Sequence, residues 1–460
     1  MKTKEGFDKT KKILIGIVEI FIYHISILLS FYMRYGQEIP SFNYVAYENA
    51  FIYIITAFVV LNVLFGVYVL YNKSIMDILI LTVIIQVVLS IMIMAMTFFG
   101  RWFTFPRSII AISFVVSSFA LFLWRIAVFK LYERIAGTKR VMVVGKEENL
   151  AESIYNFENA KNKRHKVTCA VTGNYYTHIK NNLSDVDIVY LTSDMDYAER
   201  IKIYELIVRN NKKIFVDTSF EHLLMVNPNI MNIEDESVIE LSNFRISPEF
   251  DVIKRSIDII VSLAMIVLTS PLMLIAAVLV KATSAGPVIY KQVRVTKDQK
   301  EFNIYKFRTM SATAEKESGP VLASANDMRV TFVGKYLRSL RIDELPQLFN
   351  VLNGTMSLVG PRPERPFFVE QFKKENPYYD LRHNVRAGIT GYAQVYGKYT
   401  TNFNRKLNFD LVYIKKYSLL LDVKILLQTI KVLFDKVSSQ GVEEEELLNK
   451  KMPEHIKVYD

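Results

Sequence analysis

The stretch Lys254–Lys281, KRSIDIIVSLAMIVLTSPLMLIAAVLVK, decides how this chain is built. Its apolar part, Ile257–Val280, matches the roughly 20 helical residues that a bilayer crossing takes. A full crossing would put everything after Lys281 across the membrane from everything before Lys254. Near its middle lies Ser270-Pro271. Proline removes an i→i−4 hydrogen bond, and a neighbouring serine can satisfy the freed carbonyl. The alternative is therefore a helix-break-helix that enters and leaves on one face near 252–281, with Lys254 and Arg255 at its mouth. The re-entrant hairpin is the expectation.

Toward the N-terminus the texture is first soluble and then apolar. Between Arg140 and about Leu241, Val141–Gly145, Asp187–Leu191 and Lys213–Asp217 read as strands, and Leu150–Asn159 and Asp196–Asn210 as helices. That alternation predicts a small Rossmann-like parallel-sheet domain over 136–245. A strand ending at Gly145 before a helix invites a dinucleotide reading. The fingerprint needs further glycines, however, and here Lys146, Glu147 and Glu148 follow. Two carboxylates where a diphosphate belongs argue against it, and the domain is expected to serve as scaffold, oligomerisation surface or regulatory module. Still earlier, Ile13–Met33, Phe51–Tyr71, Ile78–Phe99 and Ile109–Phe129 are four runs of spanning length, giving a transmembrane anchor over 1–135. The first run is too long for a signal core and three similar runs follow it. Lys2, Lys4, Lys9, Lys11 and Lys12 precede the first run, and Lys130, Arg134, Lys139 and Arg140 follow the fourth, so both ends are expected in the cytoplasm. Arg101 and Arg107 in the presumed outer loop weaken that asymmetry. Glu19, His24 and Arg125 lie within spans, where ionisable groups mark a pathway or, more plainly, snorkelling or a helix-helix contact.

Composition narrows the partners. The chain has 460 residues, net charge +11, 51% apolar and 22% charged residues. Such a charge suits nucleic acid, an anionic membrane or a phosphorylated substrate. The membrane segments favour the last two, and no nucleic-acid recognition motif appears. The single Cys169 excludes an intrachain disulfide or multi-cysteine zinc site and reads as structural filler.

Toward the C-terminus, about 246–438 reads as a mainly helical domain and 439–460 as a charged tail beginning near Glu443–Glu446. Phe367, Phe368 and Phe372, and the stretch Asp410–Phe434, suit either a membrane surface or ordinary core packing. The informative segment is Arg338-Ser339-Leu340-Arg341-Ile342-Asp343-Glu344-Leu345-Pro346. Alone, its adjacent acids would best be read as a helix cap. Their company changes that reading. Gly360-Pro361-Arg362-Pro363 holds an arginine on a rigid extended backbone suited to phosphate. Lys306 and Arg308, in Tyr305–Met310, stand two residues apart, which on a strand means one face. Arg386–Tyr392 is glycine-punctuated, either a plain turn or a place where backbone approaches a ligand.

On these residues the chain resembles the bacterial sugar transferases, the polyprenyl-phosphate sugar-1-phosphate transferases. The resemblance rests on Lys254-Arg255, Asp258 and Ser270-Pro271, Tyr305–Met310, Asp343–Leu348, Ser357–Pro363 and Gly388–Gln394, in the family's order, over about Phe250–Phe434. The anchor and Rossmann-like domain resemble those of the large membrane-extended members. The resemblance implies a membrane α plus α/β architecture, a re-entrant helix, and a multi-pass inner-membrane protein whose active site faces the cytoplasm. Its substrates would be a UDP-sugar and undecaprenyl phosphate, with magnesium and no nucleic acid; a homo-oligomer is a candidate assembly. Asp343 and Glu344 would be the catalytic pair and metal ligands, with Asp343 as nucleophile. Arg338 and Arg362, framed by Pro361 and Pro363, would clamp phosphates, Lys306 and Arg308 would bind the nucleotide side, and Thr390 would lie in the substrate turn. Two departures touch sugar or uridine contacts: Ala387 stands where the family usually has proline, and Tyr396-Gly397-Lys398 where it often has Asn-Gly-Arg. Rival readings are a membrane glycosyltransferase that breaks the anomeric bond, and a polysaccharide-assembly regulator. The sugar itself stays open among glucose, galactose and an N-acetylated hexose.

Overall fold

The computed structural model describes residues 9–70, 73–102, 104–160, 164–241, 243–284, 286–310, 329–397, 402–434, 453 and 455–460. The chain divides into two compact units, one of Met1–Asp217 with Lys450–Asp460, the other Thr218–Asn449.

In the first unit, helices Lys9–Tyr35, Ser41–Leu64, Ile75–Phe99 and Arg107–Ala136 occupy the four apolar runs. The second starts ten residues earlier than the hydropathy alone suggests, directly after Pro40, which cannot donate within a preceding helix. Each of the four is long and apolar enough to cross a membrane. Their interior is not wholly apolar. Arg125 donates to both oxygens of Glu19 (2.8 and 3.1 Å) and to the side chains of Asn62 and Thr82, so one buried guanidinium ties all four helices together. The Arg125–Glu19 pair is a helix-helix contact, and pairing lowers the cost that a buried lone ion would carry.

The same unit holds a five-stranded parallel sheet in the order Lys457–Tyr459, His165–Val171, Lys139–Val144, Ile188–Leu191, Lys213–Val216. Val141 and Val143 pack on one side of it and Met142 and Val144 on the other, as a parallel sheet covered on both faces requires. Two strands were not expected. His165–Val171 contains Cys169, buried in the core. Lys457–Tyr459 adds an edge strand from what reads in sequence as a charged tail, because Ile456 is buried in the sheet's core and Tyr459 packs against it. Glu443–Glu446 lie outside the described residues. Gly145, at φ +155°, turns the chain from the first strand into the helix Glu147–Glu158, where a side chain would collide with Thr192. The Lys146 amide at that turn donates to the Asp194 carboxylate at 3.0 Å.

The second unit begins at Thr218 rather than near 246, and includes the antiparallel hairpin Asn229–Ile233 with Glu236–Glu240. Its longest element is the helix Pro248–Thr283. No interruption occurs at Ser270-Pro271: the proline lacks the N–H that would reach the Val267 carbonyl, and Ser270 Oγ donates to that carbonyl instead at 2.9 Å. The two sides of Pro271 nonetheless pack on the same unit. Val261 and Ile266 lie against a core containing Val351, Leu358 and Ile425, while Ala276 and Val280 are buried with Phe307 and Leu337. Between them Val267, Leu268, Leu274 and Ile275 are exposed. Around this helix stand the antiparallel pair Ile289–Val295 and Glu301–Phe307, the parallel pair Met356–Val359 and Ala387–Thr390, and the helices Phe332–Ser339, Gln347–Leu352, Pro366–Glu375, Phe403–Lys415 and Leu419–Phe434. Phe372, Leu407, Leu411 and Ile414 belong to its core or pack on it.

Candidate active site

After the helix Phe332–Ser339, Arg341 adopts a left-handed conformation at φ +56°, and the chain tightens into a 3-10 turn over Ile342–Glu344. That reversal sends the two acids inward instead of along a helix face. Neither caps the next helix: Gln347–Leu352 starts at Pro346 with no side-chain cap. Asp343 is buried, and its Oδ1 has no hydrogen-bond partner.

Glu344 is surrounded by cations. Lys306 Nζ donates to its Oε1 at 2.9 Å, Arg362 Nη2 to the same oxygen at 3.0 Å, and Arg341 lies 3.8 Å from Oε2. Burial works against its ionisation, yet Lys306, Arg362 and Arg341 outweigh it and hold the carboxyl well below the usual carboxylate range. Asp343 goes the other way. Burial, and then the charge of Glu344, push it up to about 6 against the pull of Lys306, Arg338 and Arg341. Burial also draws the Lys306 ammonium below its usual value, opposed by Glu344. Two adjacent carboxyls thus have opposite characters, one firmly ionised and one that titrates near neutrality and has an oxygen free to react.

The expected site residues separate. Lys306, Arg338 and Arg362 gather around the dyad, with Arg338 Nε also donating to Thr309 Oγ1 at 2.8 Å. Arg308 does not share Lys306's face. The strand ends at Phe307, and the buried Arg308 guanidinium turns to the end of the long helix, donating to the Ser284 carbonyl (2.7 Å) and Oγ (2.8 Å). Thr429 Oγ1 donates to Ile425 O, so the Thr390 hydroxyl donates to Thr429 at 2.7 Å. The glycine-rich turn brings backbone against backbone. Gly360 N–H donates to Thr390 O and Gly388 N–H to Pro361 O, each at 2.9 Å, and a Cβ on Gly388 would stand 2.1 Å from Gly360 N. Ala387 uses its N–H to reach Thr296 Oγ1 at 3.1 Å, a bond that proline could not make. Tyr396 lies against Tyr392, with ring centroids 4.4 Å apart and planes tilted by 42°, and Lys398 lies outside the described residues.

Residues expected at the hairpin mouth fasten the long helix to the site. Lys254 pairs with buried Asp422, and Asp258 Oδ1 accepts the Leu358 amide at 3.1 Å. Arg255 donates to the carbonyls of Val351 (2.6 Å) and Leu352 (2.8 Å), the C-terminal end of the helix that follows the dyad. Sequence reasoning missed Arg341 as a partner of Glu344; its signal was only the i, i+3 spacing.

For a divalent ion, the free Asp343 oxygen fits, whereas the Glu344 oxygens already face cations. Among the described residues no group of three or more His, Cys, Asp or Glu side chains gathers, so such an ion would complete its shell with phosphate oxygens and water, the usual habit of magnesium.

Residues 250–436 match the family model described as bacterial sugar transferase. The chain is 50% identical over 197 residues to the UDP-N-acetylgalactosamine-undecaprenyl-phosphate N-acetylgalactosaminephosphotransferase of Aeromonas hydrophila, covering 42% of this chain and 46% of that protein. It is 40% identical over 239 residues to the UDP-glucose:undecaprenyl-phosphate glucose-1-phosphate transferase of Klebsiella pneumoniae, 49% and 51% of the two chains. To a Caulobacter vibrioides protein of that same name it is 40% identical over 187 residues, 39% and 69% of the two. The chain thus spans about half the length of the first two relatives and more than two thirds of the third.

Proposed function

The chain belongs to the bacterial sugar transferase family, and from that premise we propose that it transfers a sugar-1-phosphate from a UDP-sugar to undecaprenyl phosphate, releasing UMP. The observation that carries the reading is the split dyad: a buried Asp343 with an unpartnered oxygen beside a Glu344 locked among three cations.

In the proposed sequence an Asp343 oxygen attacks the phosphorus that bears the sugar. The bond from that phosphorus to the bridging oxygen breaks, UMP leaves with the electron pair, and an acyl phosphate carrying the sugar remains. A phosphate oxygen of undecaprenyl phosphate then attacks the same phosphorus and Asp343 departs as carboxylate. The anomeric carbon-oxygen bond is untouched. The raised affinity of Asp343 for protons makes it a better nucleophile than an ordinary carboxylate while leaving it ionised above about pH 6. Lys306, Arg338, Arg341 and Arg362 supply positive charge where several phosphates meet. Magnesium would be held by Asp343 together with phosphate oxygens, neutralising charge on the diphosphate.

The same reading makes Pro248–Thr283 a re-entrant hairpin with its tip near Ser270-Pro271, at the inner membrane and with the dyad on the cytoplasmic side of a four-helix anchor. A straight helix of this length would extend about 54 Å; residues on both sides of Pro271 pack on the same unit, while apolar side chains from Val252 to Leu279 are exposed along its length, as a segment held in lipid requires.

Membranes containing the chain, supplied with undecaprenyl phosphate, magnesium and a panel of UDP-sugars, are expected to release UMP with one sugar preferred. Release of UDP would instead mean cleavage at the anomeric carbon, and would overturn the proposal.

A further inference from the structure

Arg362 reaches Glu344 from an extended segment that cannot hold itself. Pro361 and Pro363 offer no N–H, so the segment is held through its carbonyls, and three in succession are taken by three different parts of the domain. Gly388 N–H donates to Pro361 O at 2.9 Å, Arg382 Nη2 to Arg362 O at 2.8 Å, and Arg294 Nη1 to Pro363 O at 3.1 Å. The middle one is the most costly to build. Arg382 is 5% exposed, pairs with Asp410, itself 2% exposed, at 2.8 Å, and donates to Tyr379 OH at 2.6 Å. A buried ion pair rarely stabilises a fold better than apolar side chains of similar volume. What an apolar pair would lack is the donor aimed at the Arg362 carbonyl.

We propose that Arg382, held by Asp410, is a positioning residue for the transfer reaction: it fixes the backbone of Arg362 and so keeps that guanidinium on Glu344. The inference rests on the transfer reading of the dyad. Among the described residues, Lys306 from the strand Glu301–Phe307, Arg338 from the helix Phe332–Ser339, Arg341 from the dyad's own turn and Arg362 from the extended segment bring positive charge to the dyad. When Arg362 loosens, one of these four cations is no longer held in place where the phosphates meet.

Arg382→Met alone leaves Asp410 buried without a partner and is expected to lose stability as well as activity. The decisive variant is therefore R382M/D410L, which removes both charges. It is expected to melt within a few degrees of the unaltered chain, as apolar replacement of a buried pair allows, yet to lose about ten- to a hundredfold in kcat. The loss is expected in kcat, with KM for the UDP-sugar changing much less. A well-folded double variant with unaltered kcat overturns the inference. If the double variant melts far below the parent, R382K serves in its place: it keeps the charge on Asp410 but lacks the fork to serve three acceptors. In R382K the same fall in kcat with little change in KM supports positioning, and parental values overturn it. An unaltered chain that releases no UMP removes the transfer reading and this inference together, a result distinct from either variant outcome.

Discussion

Asp343 and Glu344 are neighbours in sequence and opposites in chemistry, and the difference comes from who faces them. Three cations face Glu344, while Asp343 has an oxygen with no partner in a buried site. Because the folded-state value of Asp343 lies above its ordinary 3.8, the native state holds this proton more tightly than the unfolded chain. The contribution of Asp343 to stability is therefore present below about pH 4 and lost as pH rises through about 6. Its ionisation at neutral pH therefore costs the fold stability. Asp343→Asn is accordingly expected to abolish UMP release while melting at the same or a higher temperature at pH 7.5, the difference shrinking toward pH 4. In the unaltered chain kcat/KM should fall below about pH 6. A variant that keeps turnover, or a rate flat down to pH 5, would count against Asp343 as nucleophile. The dyad, Lys306 and Arg362 were legible in sequence because their residue types and company are unusual. Arg308 and Thr390 were not, because a hydroxyl or guanidinium does not announce its partner: Ser284 and Thr429 are distant in the chain and near only in the fold.

At the scale of elements, proline position was legible and its consequence was not. Pro271 falls within the long helix, and Ser270 supplies the donor that the proline withholds. The helix therefore runs on through Pro271, with Ile266 packed on one core and Val280 on another. In a Cys169→Ser background, single cysteines at the exposed positions Glu249 and Thr283, one at each end of the helix, are expected to react with a membrane-impermeant maleimide from the same side of inverted vesicles. Labelling from opposite sides would make the helix a simple span. The sheet gives a parallel lesson. Four of its strands follow one another in the chain, but the fifth returns from the far end, where parallel pairing with His165–Val171 makes it a strand and buried Ile456 anchors it.

At the scale of the molecule, Lys306, Arg338, Arg341 and Arg362, the cations that face the dyad among the described residues, lie within Thr218–Asn449, a unit with its own core. A chain cut to residues 218–449 is therefore expected to insert in membranes and release UMP at a rate within about tenfold of the full chain, since distant and independent parts contribute nearly additively. Loss of all turnover in a folded fragment would show that the first unit takes part in the reaction. The sequence by itself determined the apolar segments, the α/β alternation and the cluster of acids and cations, because these depend on residue type and spacing along the chain. Only the tertiary structure decided that Glu344 is the ion-paired acid and Asp343 the one with an unpartnered oxygen, that Arg308 bonds to Ser284 and Thr390 to Thr429, and that the chain's last strand completes a sheet begun near residue 139. The reason is physical: charge, burial and hydrogen-bond satisfaction are set by neighbours in space, and the decisive neighbours here lie from about twenty to nearly three hundred residues apart in the chain.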